Sequence, residues 1–348
     1  MSAADKKLET PARVTIREIA AEARVSIATV SRVLNHPEQV ATKTRETVKA
    51  VIERNHFVMD GMATALASRR SRTIGLIIPT ITNSIYASST QAIQQAAQEQ
   101  GYSVLLGVSE FSAREEAALI RRLMERRVEG LILTGAERSQ RIYETLARNR
   151  VPFILTWQQA DEPPHPSVAF DNRQAAAMAM RHLIELGHRR IGLICGRSAT
   201  NDRALARREA YEEEMRALGV PQREWLIFER DFEFVEGRTA MHRMLEARFR
   251  PTAVFCANDI QAIGALAECR DRGLAVPEEM SIVGFDDLPI SQYLSPQLTS
   301  IRVPASQMGF LAAEKLIGWI EDKAQPESAL LPVSLIRRGS SGPPAKDR

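Results

Sequence analysis

Residues 15–35 read TIREIAAEARVSIATVSRVLN, and their pattern predicts two short helices joined by a tight turn. Small and apolar residues recur at helical spacing in the first half: Ile16, Ile19, Ala20 and Ala23. Thr15 followed by Glu18 matches a capping box, which marks the start of the first helix. Ser26 suits the cap of the second helix. Apolar residues predict the buried stripe of that helix: Val30, Val33 and Leu34.

The opposite face of the second helix carries small, hydroxyl-bearing and cationic residues: Ile27, Ala28, Thr29, Ser31 and Arg32. Such side chains let a helix approach base edges, and a guanidinium can donate two hydrogen bonds to guanine. Residues 1–72 hold 13 Lys and Arg against eight Asp and Glu, whereas the remainder holds 33 against 35. This local basic excess favours attraction to DNA phosphates over the alternative, an ordinary surface helical pair.

This stretch resembles the DNA-binding headpiece of the lactose and galactose repressor family. The matching residues are Thr15, Ile19, Ala20, Ala23, Val25, Ser26, Thr29, Val30, Ser31, Arg32, Val33, Leu34 and Asn35. The resemblance implies that the DNA-contacting residues are Thr15, Ser26, Ile27, Ala28, Thr29, Ser31, Arg32 and Asn35. Arg24 departs from the family, which has Gly at this turn. Arg in a left-handed conformation costs about 1 kcal/mol, so the turn is either strained or supplies a phosphate contact.

Two further helical segments follow the headpiece pair. A third helix is predicted over 42–55, with Thr42 as its cap. Residues 60–67, DGMATALA, predict a short helix that is marginal by itself. The resemblance makes this segment the hinge helix, with Leu66 wedging into the minor groove and kinking the duplex. Met59 and Asp60 replace the family's Pro and Asn, and a plain linker helix stays the alternative.

From residue 73 the pattern changes to short apolar runs that alternate with amphipathic helices. The runs are 74–78, 104–107, 130–133, 153–156, 191–195, 253–256 and 281–284. Continuous apolar strands between helices indicate α/β folding with parallel sheets that are covered on both faces. RTIGLI (72–77) recurs as RRIGLI (189–194), and each copy opens a βαβα series. Two similar halves predict two lobes with a ligand cleft between them.

This second region resembles the sugar-binding core of the same repressor family, and that core is itself similar to periplasmic sugar-binding proteins. The motifs are PTITNSIYA (79–87), VEGLILTG (128–135), VAFDNRQAA (168–176), LIELGHRRIGLICG (183–196), VFCANDIQAIGAL (254–266), VPEEMSIVGFDDLPIS (276–291) and LIRRGSS (335–341). HPEQV (36–40), FDN (170–172) and the block from VFCAND to GLAVP look most similar to gluconate repressors. The expected organisation is a helix-turn-helix headpiece (1–58), a hinge helix and linker (59–72) and a core (73–348). The two expected lobes are 73–170 with 301–340, and 171–300.

Three residues are expected to contact the effector because they match family positions: Arg207, Asp259 and Phe232. Tyr86, at the start of the first helix of the first lobe, is a further candidate. A carboxylate accepts hydrogen bonds from a diol, and a guanidinium is a fixed donor fork. Trp157 is equally compatible with stacking on a sugar and with a core position. The alternative for Arg207 is a solvated helix face.

The charge around Arg207 favours an acidic effector. Arg203 precedes Arg207 by one helical turn, and Arg173 is expected to face the same cleft. Burying several guanidinium groups without an anion is costly, which favours a sugar acid such as gluconate or its phosphate over a neutral sugar. Asp286 and Asp287 are expected to fix a loop.

Motif searching favours regulation over catalysis. The chain has no Gly-rich phosphate loop, HExxH or GxSxG motif, and its three cysteines have no metal-ligand spacing. No cofactor or metal is expected. The rival classes are a solute-binding receptor and a sugar-metabolising α/β enzyme, but the chain lacks a secretion signal and a recognisable acid–base pair. The expected partners are double-stranded operator DNA, a small sugar or sugar-acid effector and a second copy of the chain, without a membrane. A cytoplasmic homodimer is expected, because the tail GSSGPPAKDR has no heptads.

Overall fold

The computed structural model describes residues 14–35, 37–58, 70–159, 165–221 and 226–345. Contacts divide the chain into two compact units, residues 1–71 and residues 72–348. The predicted hinge segment, with Leu66, lies outside the described residues.

Within its described residues the first unit contains three α-helices, α1 (Ile16–Glu22), α2 (Ile27–Asn35) and α3 (Thr42–Arg54). The capping box is confirmed: the Thr15 amide donates to Glu18 Oε2 at 2.7 Å, and the Glu18 amide donates to Thr15 Oγ1 at 3.4 Å. Ser26 Oγ accepts the Thr29 amide at 3.1 Å, as a cap should. The cap predicted for α3 is wrong by one residue, because Ala41 caps α3 and Thr42 is its first helical residue.

Seven buried residues from the three helices and the C-cap of α1 form the headpiece core: Ile19, Ala20, Ala23, Val30, Val33, Val48 and Val51. Leu34 packs against this cluster and is half-buried. The predicted helical stripes are therefore confirmed. Burial of these stripes against one another stabilises helices that are too short to persist alone.

The second unit contains eight helices and twelve strands within the described ranges. The helices are α4 (Ser84–Glu99), α5 (Ala113–Glu125), α6 (Gln140–Arg148), α7 (Asn172–Glu185), α8 (Asp202–Ala217), α9 (Phe234–Leu245), α10 (Asp259–Asp271) and α11 (Ala305–Asp322). The strands are β1 (Thr73–Ile78), β2 (Ser103–Val108), β3 (Gly130–Thr134), β4 (Phe153–Thr156), β5 (Ser167–Ala169), β6 (Ile191–Cys195), β7 (Leu226–Glu229), β8 (Ala253–Cys256), β9 (Ser281–Asp286), β10 (Thr299–Arg302), β11 (Ala329–Leu330) and β12 (Ser334–Ile336). All seven predicted apolar runs are strands.

The strands form two six-stranded sheets. The first has the order β11-β5-β4-β3-β1-β2, and the second has the order β12-β10-β9-β8-β6-β7. All neighbours are parallel except β10 and β12, which are antiparallel. In each sheet the strand order reverses beside its first strand, between β1 and β3 and between β6 and β8. Ligand crevices of doubly wound sheets lie outside the carboxyl ends of the strands at this switch point.

The chain passes between the two lobes three times, once more than predicted. β10 belongs to the second sheet, α11 packs on α4 and on β3 to β5 of the first lobe, and β12 returns to the second sheet. The prediction placed all of 301–340 in the first lobe. The return is held by His188, which bonds to the Thr252 hydroxyl at 2.9 Å and to the Gly342 carbonyl at 2.9 Å.

Candidate functional site

The outer face of α2 presents the side chains predicted to reach DNA. Ile27 is 45% exposed, and Ala28 and Arg32 are also exposed. Thr29 and Ser31 are half-buried at the edge of this face. The hydroxyls of Thr15 and Ser26 take part in helix caps, so their side chains are partly engaged within the headpiece. The DNA contacts of these residues, of Asn35 and of Leu66 stay predictions.

A narrow pocket, named here the inner pocket, lies between the two lobes of the second unit. It is lined by Asn83, Ile85, Tyr86, Phe111, Trp157, Gly196, Asn201, Arg203, Ala204, Arg207, Phe232, Ala257, Asn258 and Asp286. Its cavity volume is about 20 Å³, which is roughly enough for a single water molecule. The pocket contains three of the four residues predicted to bind an effector, and it also contains Trp157.

Arg207 lies at the bottom of the inner pocket and is 7% exposed, so it is not a solvated surface residue. Its Nε donates to Asn172 Oδ1 at 2.9 Å, and its Nη1 donates to the Ala257 carbonyl at 2.7 Å. The guanidinium carbon stacks 3.7 Å from the centroid of the Phe285 ring. Burial lowers the pKa of Arg207 to about 10. Among the described residues no carboxylate forms an ion pair with it, so its charge is held by neutral acceptors.

Asp286 forms the acidic part of the wall, although sequence reasoning assigned it to a loop. Asn258 Nδ2 donates to Asp286 Oδ2 at 2.7 Å. Burial raises the pKa of Asp286 to about 8, while the nearby Arg207 guanidinium opposes this rise. The backbone φ of Asp286 is 114°, a strained value for a residue with a side chain. Strain of this kind concentrates at functional sites, and the position of Asp286 at the end of β9 was the available sequence signal.

Asp259 occupies a different place from the one predicted. Its side chain is fully buried and does not line the pocket. Its carboxylate accepts hydrogen bonds from Ser291 Oγ and Ser300 Oγ at 2.6 Å each and from the Leu288 amide at 2.8 Å. Asp259 therefore anchors the loop that follows Asp286, and its complete burial keeps it from a ligand in the pocket. The structure contradicts its predicted location at the cleft.

Aromatic rings from both lobes line the inner pocket. The Tyr86 and Trp157 rings meet edge to face with centroids 4.9 Å apart. Phe111 of the first lobe packs against Phe232 of the second with centroids 5.2 Å apart. Sequence reasoning identified Tyr86 and Phe232 and left Trp157 open, but it missed Phe111, which follows β2 in a left-handed conformation (φ 58°).

Asp202 and Arg203 connect the lobes. The Asp202 carboxylate, at the start of α8 in the second lobe, accepts the Ala136 and Glu137 amides of the first lobe at 2.6 and 3.1 Å. It also pairs with Arg203 Nη1 at 2.7 Å, so the charge of Arg203 is compensated. Gly135 has a φ of +78°, and a Cβ atom there would collide with the Arg203 guanidinium.

The expectation that Arg173 faces the cleft is wrong. Its side chain is exposed and pairs with Glu213 at 2.6 Å and with Glu209 at 2.9 Å. Asp287 does have the loop-fixing role that was predicted for it, because it accepts hydrogen bonds from Arg302 Nε and Arg338 Nη2 at 2.6 Å each. Arg207 is therefore the pocket cation without a carboxylate partner among the described residues.

Comparison with known proteins finds family matches for both the headpiece and the two-lobed core. The family described as bacterial regulatory proteins, lacI family, matches residues 15–59, and a periplasmic binding protein-like domain matches residues 180–341. The HTH-type transcriptional repressor CytR of Escherichia coli (strain K12) is 33% identical over 339 residues, which are 97% of this chain and 98% of CytR. The chain belongs to the LacI family. It is thus a DNA-binding transcription regulator with an α/β core.

Other relatives are similar to this chain over most of their length. Catabolite control protein A of Priestia megaterium is 33% identical over 315 residues, covering 90% of this chain and 95% of that protein. The Lac repressor dimer bound to operator and the anti-inducer ONPF superposes with a TM-score of 0.84 at 28% identity, covering 95% and 99% of the two chains. Transcription regulator GntR from Chromobacterium violaceum superposes with a TM-score of 0.72 at 30% identity, covering 77% of this chain and 99% of that chain. Among the described residues, no helix combines the length and hydrophobicity needed to cross a bilayer.

Proposed function

We propose that this LacI-family chain is a repressor in which two copies pair and an effector in the inner pocket controls operator binding. The exposed face of α2 supplies base contacts, and two headpieces read the halves of a pseudo-palindromic site. The operator-bound Lac repressor dimer, similar in fold over 95% of this chain, supports the dimer and the DNA partner. An effector can shift the equilibrium only by its different affinity for the two states.

The pairing face includes the exposed apolar residues of the core. β2 is an edge strand of the first sheet, and its residues Leu105 and Leu106 are exposed. Ile290 and Tyr293, which is 80% exposed, lie on the second lobe. Apolar patches and open strand edges are normally covered in soluble proteins, so a second copy accounts for both.

The effector is a hydroxyl-bearing acid, and the observation that carries this is the buried Arg207 without an ion pair. A ligand carboxylate would satisfy the guanidinium in a site where an unpaired charge is expensive. Asn83, Asn258 and Asp286 line the same pocket and can bond to hydroxyls. The cellobiose complex of regulator CelR (30% identity, TM-score 0.70) supports a carbohydrate effector.

Regulation is favoured over catalysis. CytR is by name a transcriptional repressor, and the Lac repressor structure shows a repressor bound to its operator. The histidines at the end of α7 are used structurally, since His182 bonds to Ser341 and His188 bonds to Gly342. We place the protein in the cytoplasm with the DNA that it reads.

Calorimetric titration tests the effector class. Gluconate, 6-phosphogluconate and glucose are titrated into the full chain, into Arg207→Met and into the control Arg173→Met, whose arginine pairs on the surface. We expect an acid to bind and glucose to bind much more weakly. Binding of the acid should fall at least about 30-fold in Arg207→Met, because a hydrogen-bonded charge pair is lost. Tight binding of glucose alone, undiminished in Arg207→Met, would overturn the acid class and the role of Arg207.

A further inference from the structure

One end of the first lobe carries a cluster of arginines, named here the basic end. It consists of the C-terminal part of α5, the end of α6 and the loop that follows each helix. Its cationic residues are all exposed: Arg121, Arg122, Arg126, Arg127, Arg148 and Arg150. Residues 121–129 and 148–150 hold these six arginines against two glutamates. The chain after residue 72 holds 33 Lys and Arg against 35 Asp and Glu, so the excess is local.

Packing and strand pairing bring the two helix ends together. Leu123 of α5 and Leu146 of α6 are buried in one hydrophobic cluster, so both helices cover the same face of the first sheet. The loops that follow them lead into β3 and β4, which are neighbouring parallel strands. Where those strands begin, the Leu131 amide donates to the Pro152 carbonyl at 2.9 Å. The arginines of both helices therefore lie at one edge of the lobe, at the amino ends of its strands.

Most of these guanidinium groups are available to an external anion. Among the described residues, no ion pair is formed by Arg121, Arg122, Arg126, Arg148 or Arg150. Arg138 and Arg173, elsewhere in the core, each pair with glutamate. Arg150 also has a φ of 54°, the left-handed conformation that Gly adopts most readily after a helix. A long cationic side chain at a strained position points to a role for that side chain.

The chain enters the core from the headpiece at this same end. The amide of Arg72, directly before β1, donates to Glu129 Oε1 at 2.8 Å, and the Glu129 amide donates to the Thr73 carbonyl at 2.8 Å. Glu129 lies in the loop between α5 and β3, so the linker joins the core beside the basic end. DNA that is held by the headpiece is thereby tethered to the part of the core that carries the arginines.

We propose that the basic end binds the phosphate backbone of the DNA that flanks the operator. Guanidinium groups form paired, charge-assisted hydrogen bonds with phosphate oxygens, and such contacts position a protein without reading a base. Duplex DNA presents one phosphate charge per about 1.7 Å of its axis, so a cluster of arginines finds several acceptors. This rests on operator binding by the headpiece, and it adds a second DNA-binding surface on the core.

The test uses a site that the full chain selects from random-sequence DNA. Affinity is measured on a short duplex that ends at the selected site and on a long duplex with several helical turns of flanking DNA on each side. The variant Arg122→Gln/Arg126→Gln/Arg148→Gln removes three charges and keeps good helix-forming residues. We expect it to bind the long duplex about tenfold or more weakly than the parent, because phosphate contacts are lost, and to bind the short duplex equally well. Its log–log salt slope on the long duplex should fall by about 0.9 for each lost contact.

The matched control is Arg190→Gln/Arg243→Gln/Arg248→Gln, which removes the same charge from exposed positions of the second lobe. It should bind both duplexes as the parent does. Equal weakening in the variant and the control would overturn the inference, because net charge alone would then explain the loss. Equal weakening on the short and long duplexes would also overturn it, because the arginines would then not act on flanking DNA.

Unchanged binding of the variant to both duplexes would overturn the inference in a different way. The arginines would then serve the helix dipoles, which a lowered thermal unfolding midpoint of the variant would show, or an acidic protein partner. If the parent selects no site at all, operator binding itself fails, and the inference fails with it.

Discussion

Replacing Arg24 by Gly should stabilise the headpiece. Arg24 has a φ of 55°, and it ends α1 in a Schellman motif. Its amide donates to the Ala21 carbonyl at 3.1 Å, and the next amide, that of Val25, donates to the Ala20 carbonyl at 3.0 Å. Gly is the residue that usually occupies this left-handed position, because it has no Cβ to clash with the carbonyl oxygen.

The size of the gain follows from two opposing terms. The left-handed conformation costs an L-residue about 1–2 kcal/mol, which Gly avoids. Gly also gives the unfolded chain more conformational freedom, which lowers the gain in stability by about 0.5–1 kcal/mol. The net stabilisation should be about 0.5–1 kcal/mol, or about a two- to fivefold increase in the equilibrium constant for local folding.

Hydrogen exchange of amides in residues 19–34, followed by mass spectrometry on the full chain, measures this locally. Arg24→Ala is the matched variant, because it removes the same charge but keeps the left-handed strain. Amide protection should rise about two- to fivefold in Arg24→Gly and stay unchanged in Arg24→Ala. Operator titrations over a range of salt concentrations then show whether Arg24 contacts phosphate. If it does, both variants lose about 0.9 of the log–log salt slope per headpiece.

Equal protection in the Gly and Ala variants would refute the strain argument, since only Gly relieves the backbone. Lower protection in Arg24→Gly than in the parent would refute it more strongly. In that case the arginine side chain would contribute more to the turn than the conformation costs.

Four other results are expected. Arg32→Ala should weaken operator binding by about 1–3 kcal/mol and relax preference at one base pair per half-site; unchanged binding to operator variants at fixed salt would reject the α2 assignment. Leu66→Ala should reduce DNA bending, measured by gel mobility of circularly permuted operators, and leave effector binding intact; normal bending would favour a linker helix. Swapping Ile27 and Ala28 should change the half-site selected from random DNA, because neither side chain can hydrogen-bond a base and both should therefore make apolar contacts such as one with a thymine methyl; the same selected sequence would count against this. Asp286, with a pKa raised to about 8, should become charged above that pH and repel an acidic effector, so affinity should fall as pH rises through 8 in the parent but not in Asp286→Asn; a pH-independent parent would contradict the placement of the acid.

Local signals were enough to predict the headpiece and most strands. The cap at Thr15, the turn at Arg24 and the apolar stripe of α2 each involve residues within a few positions of one another, so each can be recognised from a short stretch of sequence. The buried strands were equally readable, because a strand covered on both faces must be apolar throughout. Arg207 was identified through family resemblance, and its burial is consistent with that choice.

Tertiary contacts decided which charged residues face the pocket. Asp259 and Asp286 both lie near the ends of buried strands, and nothing near either residue in sequence distinguishes them. Ser291 and Ser300 bond to Asp259 from 32 and 41 residues away and turn its carboxylate into the protein, whereas the backbone at Asp286 directs the other acid to the cleft. Likewise, Arg173 turns outward to two glutamates of α8. The sequence by itself determined the family, the helix-turn-helix and the paired lobes. The direction of each buried charged side chain depended on distant partners, because a charged group can be buried only where hydrogen-bond or ion-pair partners compensate for its lost hydration.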